Sequence, residues 1–171
     1  MLELIRQVNW TAFTLHAFFV GILTFILILV GLETDLSILT TAVAYMGLSV
    51  LLQRFIPKHH RMGFKFLSRR EYDSAVIAFQ ESWNYFSKNK WVDDYRAIFL
   101  LSASKMSYRE MALINRSLSY WQLGNNEKAL ESYTEVLSYF PESRLAKEAI
   151  EYINNPDNKE EAFDETYDSE A

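Results

Sequence analysis

From Trp10 to Leu32 the chain reads WTAFTLHAFFVGILTFILILVGL, twenty-three residues without a formal charge. Wound as a helix, that run is about 35 Å long, enough to cross a hydrocarbon core of roughly 30 Å with some tilt. A second apolar run, Leu36 to Leu52, reaches spanning length when continued to Ile56, with Gln53 and Arg54 stretching to the headgroups. Glu33, Thr34 and Asp35 separate the two runs, so the expectation is an antiparallel transmembrane hairpin with an acidic tip. The first run is too long for the apolar core of a cleaved signal, and no small-x-small site closes it, so it is expected to be retained.

The charges orient this hairpin. Arg54, Lys58, Arg61, Lys65, Arg69 and Arg70 follow the second run, and no acid appears before Glu71. The positive-inside bias puts that flank in the cytoplasm, and two spans return the N-terminus, with Arg6, to the same side. The expected localisation is an integral plasma membrane of the bacterial inner-membrane type, with both termini cytoplasmic. Arg54, Lys58, Arg61 and Lys65 are candidate contacts for anionic lipid headgroups, each basic group contributing roughly 1 kcal/mol; the alternative is that they only set topology. Ala17 with Gly21, and Thr40 with Ala44 and nearby Gly47, are small-residue pairs that let backbones approach, within the hairpin or against another membrane subunit. His16 is the one ionisable group inside a span. It lies within two turns of the cytoplasmic end, where a neutral, hydrogen-bonded ring is expected rather than a proton relay.

Pro57 ends or kinks the second span, lacking the N–H that would bond back one turn. Helical periodicity then marks two pairs of helices. Met62, Phe66 and Leu67 face Tyr72, Ala75, Val76 and Phe79; Leu113, Ser117 and Tyr120 face Ala129, Tyr133, Val136 and Leu137. The organisation read is a hairpin over 1–56, with spans at about 10–32 and 36–56, and an all-α domain over 57–155. An insert lies at about 88–107, and 156–171 is an acidic tail expected to be disordered.

The segment EMALINRSLSYWQLGNNEKALESYTEVLSYFP, Glu110 to Pro141, resembles a tetratricopeptide repeat, a 34-residue helix–turn–helix. Asn115, Ser117, Tyr120, Gly124, Ala129, Tyr133 and Pro141 carry the resemblance. Gly124 suits a left-handed turn, Ala129 lets the helices close, Tyr133 fills the space between them, and Pro141 stops the second helix. Ser107 with Glu110 forms a capping box ahead of the first helix. Ile56 to Ser87 resembles a second, degenerate copy through Met62, Gly63, Phe66, Tyr72, Ala75 and Phe79, with Arg70 in place of the turn glycine. The copies are offset by 54 residues rather than 34, so about twenty residues are inserted, with an apolar helical stretch from Tyr95 to Leu101. SRLAKEAIEYI, after Pro141, is amphipathic and is read as a terminal helix covering the last repeat.

The resemblance implies a protein-interaction module without catalysis: a membrane-anchored adaptor or scaffold that presents its repeats at the cytoplasmic face to a protein or peptide partner. Carried over by position, the groove face is His60, Phe64 and Leu67 in the first copy and Met111, Ile114, Leu118 and Trp121 in the second. His60 and Phe64 stand where carboxylate-gripping members have lysine and asparagine, so that specificity does not transfer. The Tyr95–Leu101 stretch either fills this groove or leaves it to a partner. The alternative function is an accessory subunit of a larger membrane complex serving transport, secretion or envelope assembly, with the hairpin making the main contacts. With no cysteine, thiolate nucleophiles and cysteine-ligated metals are excluded. No phosphate loop, nucleophile elbow or histidine–carboxylate metal spacing occurs, and the adjacent pair His59-His60 diverges on a helix. No enzyme, no cofactor, no metal and no nucleic-acid partner are expected.

Overall fold

The computed structural model describes residues 10–102 and 104–155, and every regular element among them is a helix. The acidic tail at 156–171, expected to be disordered, and Arg6 lie outside those residues.

The first two helices, α1 (Trp10–Leu29) and α2 (Thr34–Phe55), are long and apolar enough to cross a membrane. Gly31 (φ 99°) makes the turn between them: its N–H donates to Ile28 O at 2.9 Å and the Leu32 N–H to Leu27 O at 3.1 Å, closing α1 through a left-handed residue. Half-buried His16, Val20, Thr24 and Leu27 recur every three or four residues on α1, against Ser37, Thr41 and Tyr45 on α2. Ser37 and Thr41 are completely buried, and the Ser37 hydroxyl donates to Glu33 O at 2.9 Å. Small hydroxyl residues therefore make the seam. The expected pairs, Ala17 with Gly21 and Thr40 with Ala44 and Gly47, are exposed instead, and a Cβ built on Gly21 or Gly47 meets no atom within 4 Å. One residue of helical rotation, about 100°, separates Thr40 from Thr41 and turns the first stripe outward.

Pro57 is buried at the junction of α2 with α3 (Lys58–Ser68), which pairs with α4 (Tyr72–Lys88). Gly63 on α3 is the point of closest approach: an added Cβ would lie 2.6–2.8 Å from the ring of Phe79, itself fully buried. The second pair is α7 (Tyr108–Gln122) and α8 (Asn126–Tyr139), followed by α9 (Arg144–Asn154). α4 packs on both α3 and α7, and α8 on both α7 and α9, so the helices form one continuous stack. Its core centres on Leu113, Tyr133, Val136 and Ala146, flanked by Trp83, Ile114 and Ile150. Met62 does not join the core; it is exposed, one residue from the face that Gly63 buries.

The insert forms two short helices, α5 (Lys90–Asp94) and α6 (Arg96–Phe99), and is knotted by two charged residues. Asp93, completely buried, accepts from the Tyr108 and Arg109 N–H groups at 2.7 and 3.1 Å and from Arg109 Nε at 3.1 Å. A carboxylate on the first N–H groups of α7 satisfies donors that no helical carbonyl can reach, with the favourable sign of the helix dipole. Arg96 donates to the carbonyls of Asp93, Ser104 and Lys105 and gathers the chain into its turn.

Candidate functional site

The two helix pairs close with the same hydrogen bonds. Gly124 (φ 74°) donates to Trp121 O and Asn125 to Tyr120 O; Arg70 (φ 60°) donates to Leu67 O and Glu71 to Phe66 O. The first pair thus adopts the glycine turn without the glycine, holding a side chain in a backbone region that L-residues enter at a cost. Ala75 and Ala129, 54 residues apart, are both at zero exposure, and Phe79 and Tyr133 both fill the space between paired helices. Burial pushes the Tyr133 phenol up to about 12, leaving it neutral. The Ser107 hydroxyl accepts from the Glu110 N–H at 3.1 Å, starting α7 as the capping sequence requires, and the Asn125 carboxamide oxygen does the same for Lys128 on α8.

Residues 111–143 match the family model for the tetratricopeptide repeat. This chain carries a tetratricopeptide repeat. No curated protein and no solved structure matches it.

The first helices of the repeat pairs, α3 and α7, and α9 after them present one face, on which most of the expected groove residues lie. Phe64 is exposed, and Leu67, Met111, Ile114, Leu118 and Trp121 are half-buried. Ile114 leans on the core beside α9, and the Trp121 ring meets Tyr152 of α9 edge-on, centroids 5.8 Å apart. Tyr152 was not foreseen, although it follows Leu118 by 34 residues, one repeat length, as Leu118 follows Phe64 by 54. The same register therefore carries a large apolar side chain on all three helices.

His60 is a correction to that set. It is 4% exposed, walled by the rings of Phe64, Phe79 and Tyr108 at 5.1–5.5 Å, with Nδ1 3.3 Å from Ser82 Oγ. Tyr108, the first residue of α7, closes over it, so the position that opens to a groove in a regular repeat is sealed here by the helix that follows the insert. Burial lowers its pKa to about 4, which keeps the ring neutral.

The insert does not lie on the groove face. Leu100, the insert's fully buried apolar residue, packs with Phe86, Val92, Ile56, Tyr85 and Tyr108 at the end of the stack next to the hairpin. Its other attachments run to the hairpin: a ring nitrogen of His16, Nε2, is 2.7 Å from Ala97 O, and Gln53 Nε2 donates to Leu101 O at 3.3 Å.

Arg54, Lys58, Arg61 and Lys65 are all exposed. Lys58, Arg61 and Lys65 share one side of α3, away from His60 and Gly63, and Arg61 Nη1 donates to Arg54 O at 2.9 Å, capping the end of α2. A polar network that the periodicity did not suggest ties the stack together. Buried Arg116 on α7 donates to Gln80 of α4 and to Ser132 and Glu135 of α8, and Ser117 Oγ donates to Ser132 Oγ at 2.7 Å. One guanidinium with donors in three directions thus bonds both helices that flank α7.

Proposed function

We propose that the chain is a membrane-anchored adaptor whose repeat stack holds a protein or peptide partner at the cytoplasmic face, without catalysing a reaction. The observation that carries this reading is the apolar register Phe64, Leu118 and Tyr152, left open on the first helices of the stack while the insert is engaged elsewhere. A repeat of this family generally mediates protein contacts, and large apolar side chains on a preformed face are the usual anchors of an interface. The two apolar helices supply the tether, and the run of six cations from Arg54 to Arg70 supports a cytoplasmic stack. The exposed side of Arg54, Lys58, Arg61 and Lys65 suits anionic headgroups at the same membrane face.

Single cysteines in this cysteine-free chain test the tether. Thr34→Cys and Glu131→Cys, probed with an impermeant maleimide in sealed membranes, label from opposite sides on this reading; labelling from one side overturns it. Leu118→Glu tests the face: the partner is lost while the fold is kept.

The accessory-subunit reading has its own support. Of the small residues, Ala17, Gly21, Thr40 and Gly47 are exposed away from the hairpin seam, where another transmembrane helix could approach closely. On that reading the partner is retained in Leu118→Glu and lost in Gly21→Leu or Gly47→Leu.

A further inference from the structure

The insert leaves Trp91 53%, Tyr95 60%, Ile98 47% and Phe99 40% exposed, a cluster of large apolar side chains in only nine residues. Trp91 and Phe99 support each other edge-on at 4.8 Å, so the cluster is a formed surface rather than loose side chains. The charges beside it are paired: Lys90 with Asp94 at 3.8 Å, and Asp94 with Arg109 at 2.9 Å. On its other side the insert is fixed to the stack through buried Asp93 and Leu100.

Its height along the hairpin says what covers the cluster. Ala97 is held by His16, six residues along α1 from Trp10, where the uncharged apolar run begins, which places the insert about 9 Å into that run. An amphipathic segment lying in a membrane interface sits about 5–10 Å deep, with tryptophan and tyrosine at the headgroup level. Ile98 and Leu101, with Leu15, Phe19, Leu23 and Leu48 of the two long helices, line a cavity of about 440 Å³ whose walls are almost wholly apolar. That volume and chemistry suit a stretch of acyl chain, and the cavity continues the aromatic cluster onto the surface of the hairpin.

We infer that the insert is an interfacial wedge: Trp91, Tyr95 and Phe99 lie in the headgroup–acyl boundary of the membrane beside the hairpin, and an acyl chain occupies the cavity under Ile98. The inference rests on the membrane-spanning reading of α1 and α2. The wedge gives the stack a second, non-spanning attachment. With the Asp93 cap on α7 it fixes the tilt of the groove face relative to the membrane, instead of leaving it on a free tether.

The test uses the full chain in vesicles of phosphatidylethanolamine and phosphatidylglycerol. A nitroxide is placed singly by Tyr95→Cys, Phe99→Cys, Leu39→Cys on the outer side of α2 and Glu131→Cys on α8, each variant checked by circular dichroism. Collision rates with oxygen, which partitions into lipid, and with a neutral nickel chelate, which stays in water, are compared. The oxygen-to-nickel ratio at Tyr95 and Phe99 is expected several-fold above that at Glu131 and close to that at Leu39, which lies five residues, about 7.5 Å, into α2. Ratios equal to Glu131, with Leu39 reporting lipid, overturn the wedge and leave the hairpin reading intact. Low collision rates with both reagents at Tyr95 and Phe99 mean a protein covers the cluster, and also overturn the wedge. A water-like ratio at Leu39 overturns the spanning hairpin and the wedge with it.

Discussion

Acid should loosen the repeat stack through one histidine. His60 is held at a pKa of about 4 by burial among Phe64, Phe79 and Tyr108, while an unfolded chain takes up the proton near 6.5. Between those values the unfolded state binds more protons than the folded one, so stability falls as pH drops. The contribution is fully present above about 6.5, is lost progressively down to about 4, and is flat below, where the folded state also protonates. A shift of that size corresponds to roughly 3 kcal/mol, a substantial share of the stability of a small domain. The buried Nε2 has no hydrogen-bond partner among the described residues, so none of them offers an acceptor to the imidazolium when it forms. Carboxylates also lose their contribution in acid, so the measurement must be a difference. Urea unfolding of the 57–155 fragment between pH 7.5 and 4.5 is compared with that of His60→Phe, which keeps an aromatic ring in the cage and cannot titrate. The two curves should diverge below pH 6.5, with the parent losing about 2.5 kcal/mol more than the variant by pH 4.5. Parallel curves, or a histidine titration by NMR near the ordinary value, would refute the buried neutral ring.

Four further outcomes follow from the packing. Gly63→Val forces atoms into the fully buried Phe79 ring and should cost at least about 2 kcal/mol in thermal unfolding. Arg70→Gly relieves a left-handed residue at a turn that Gly124 makes freely, and should raise stability by about 0.5–1 kcal/mol by urea midpoint. Arg116→Met strips Ser132, Gln80 and Glu135 of their shared donor and should cost about 2–3 kcal/mol, discounted because Glu135 is partly exposed. Asp93→Ala uncaps α7 and releases the insert, costing about 2 kcal/mol in unfolding and raising amide exchange at Tyr108 and Arg109.

The elements that a sequence discloses are those whose cause is local. The two long helices follow from uninterrupted apolar length, and the second pair from Gly124, Ala129, Tyr133 and Pro141, each fulfilling a requirement set within its own helix–turn–helix. The degenerate first pair was legible for the same reason, since Arg70 takes up the left-handed turn and Gly63 admits Phe79. What stayed hidden depends on side chains brought from far along the chain. His60 looked like a groove residue until Tyr108, 48 residues later, closed over it. Thr40 and Thr41 are equally small and hydroxylated in sequence, and only the packed seam distinguishes them. Arg116 reads as a charge on an apolar helix face, because its acceptors come from α4 and α8. The direction of the insert, toward the hairpin and not the groove, was set by Asp93 and Arg96, neither of which has a local pattern.

Site-specific photocrosslinking in native membranes tests the adaptor most directly. A benzophenone amino acid is placed singly at Phe64, Leu118 and Tyr152 on the shared face, at exposed Ile77 on α4, and at Gly21 and Gly47 on the outer side of the hairpin. The account predicts that Phe64, Leu118 and Tyr152 capture one and the same protein, that Ile77 does not, and that Leu118→Glu abolishes the capture from Phe64. Capture of a membrane protein from Gly21 and Gly47, with none from the three face positions, would contradict it.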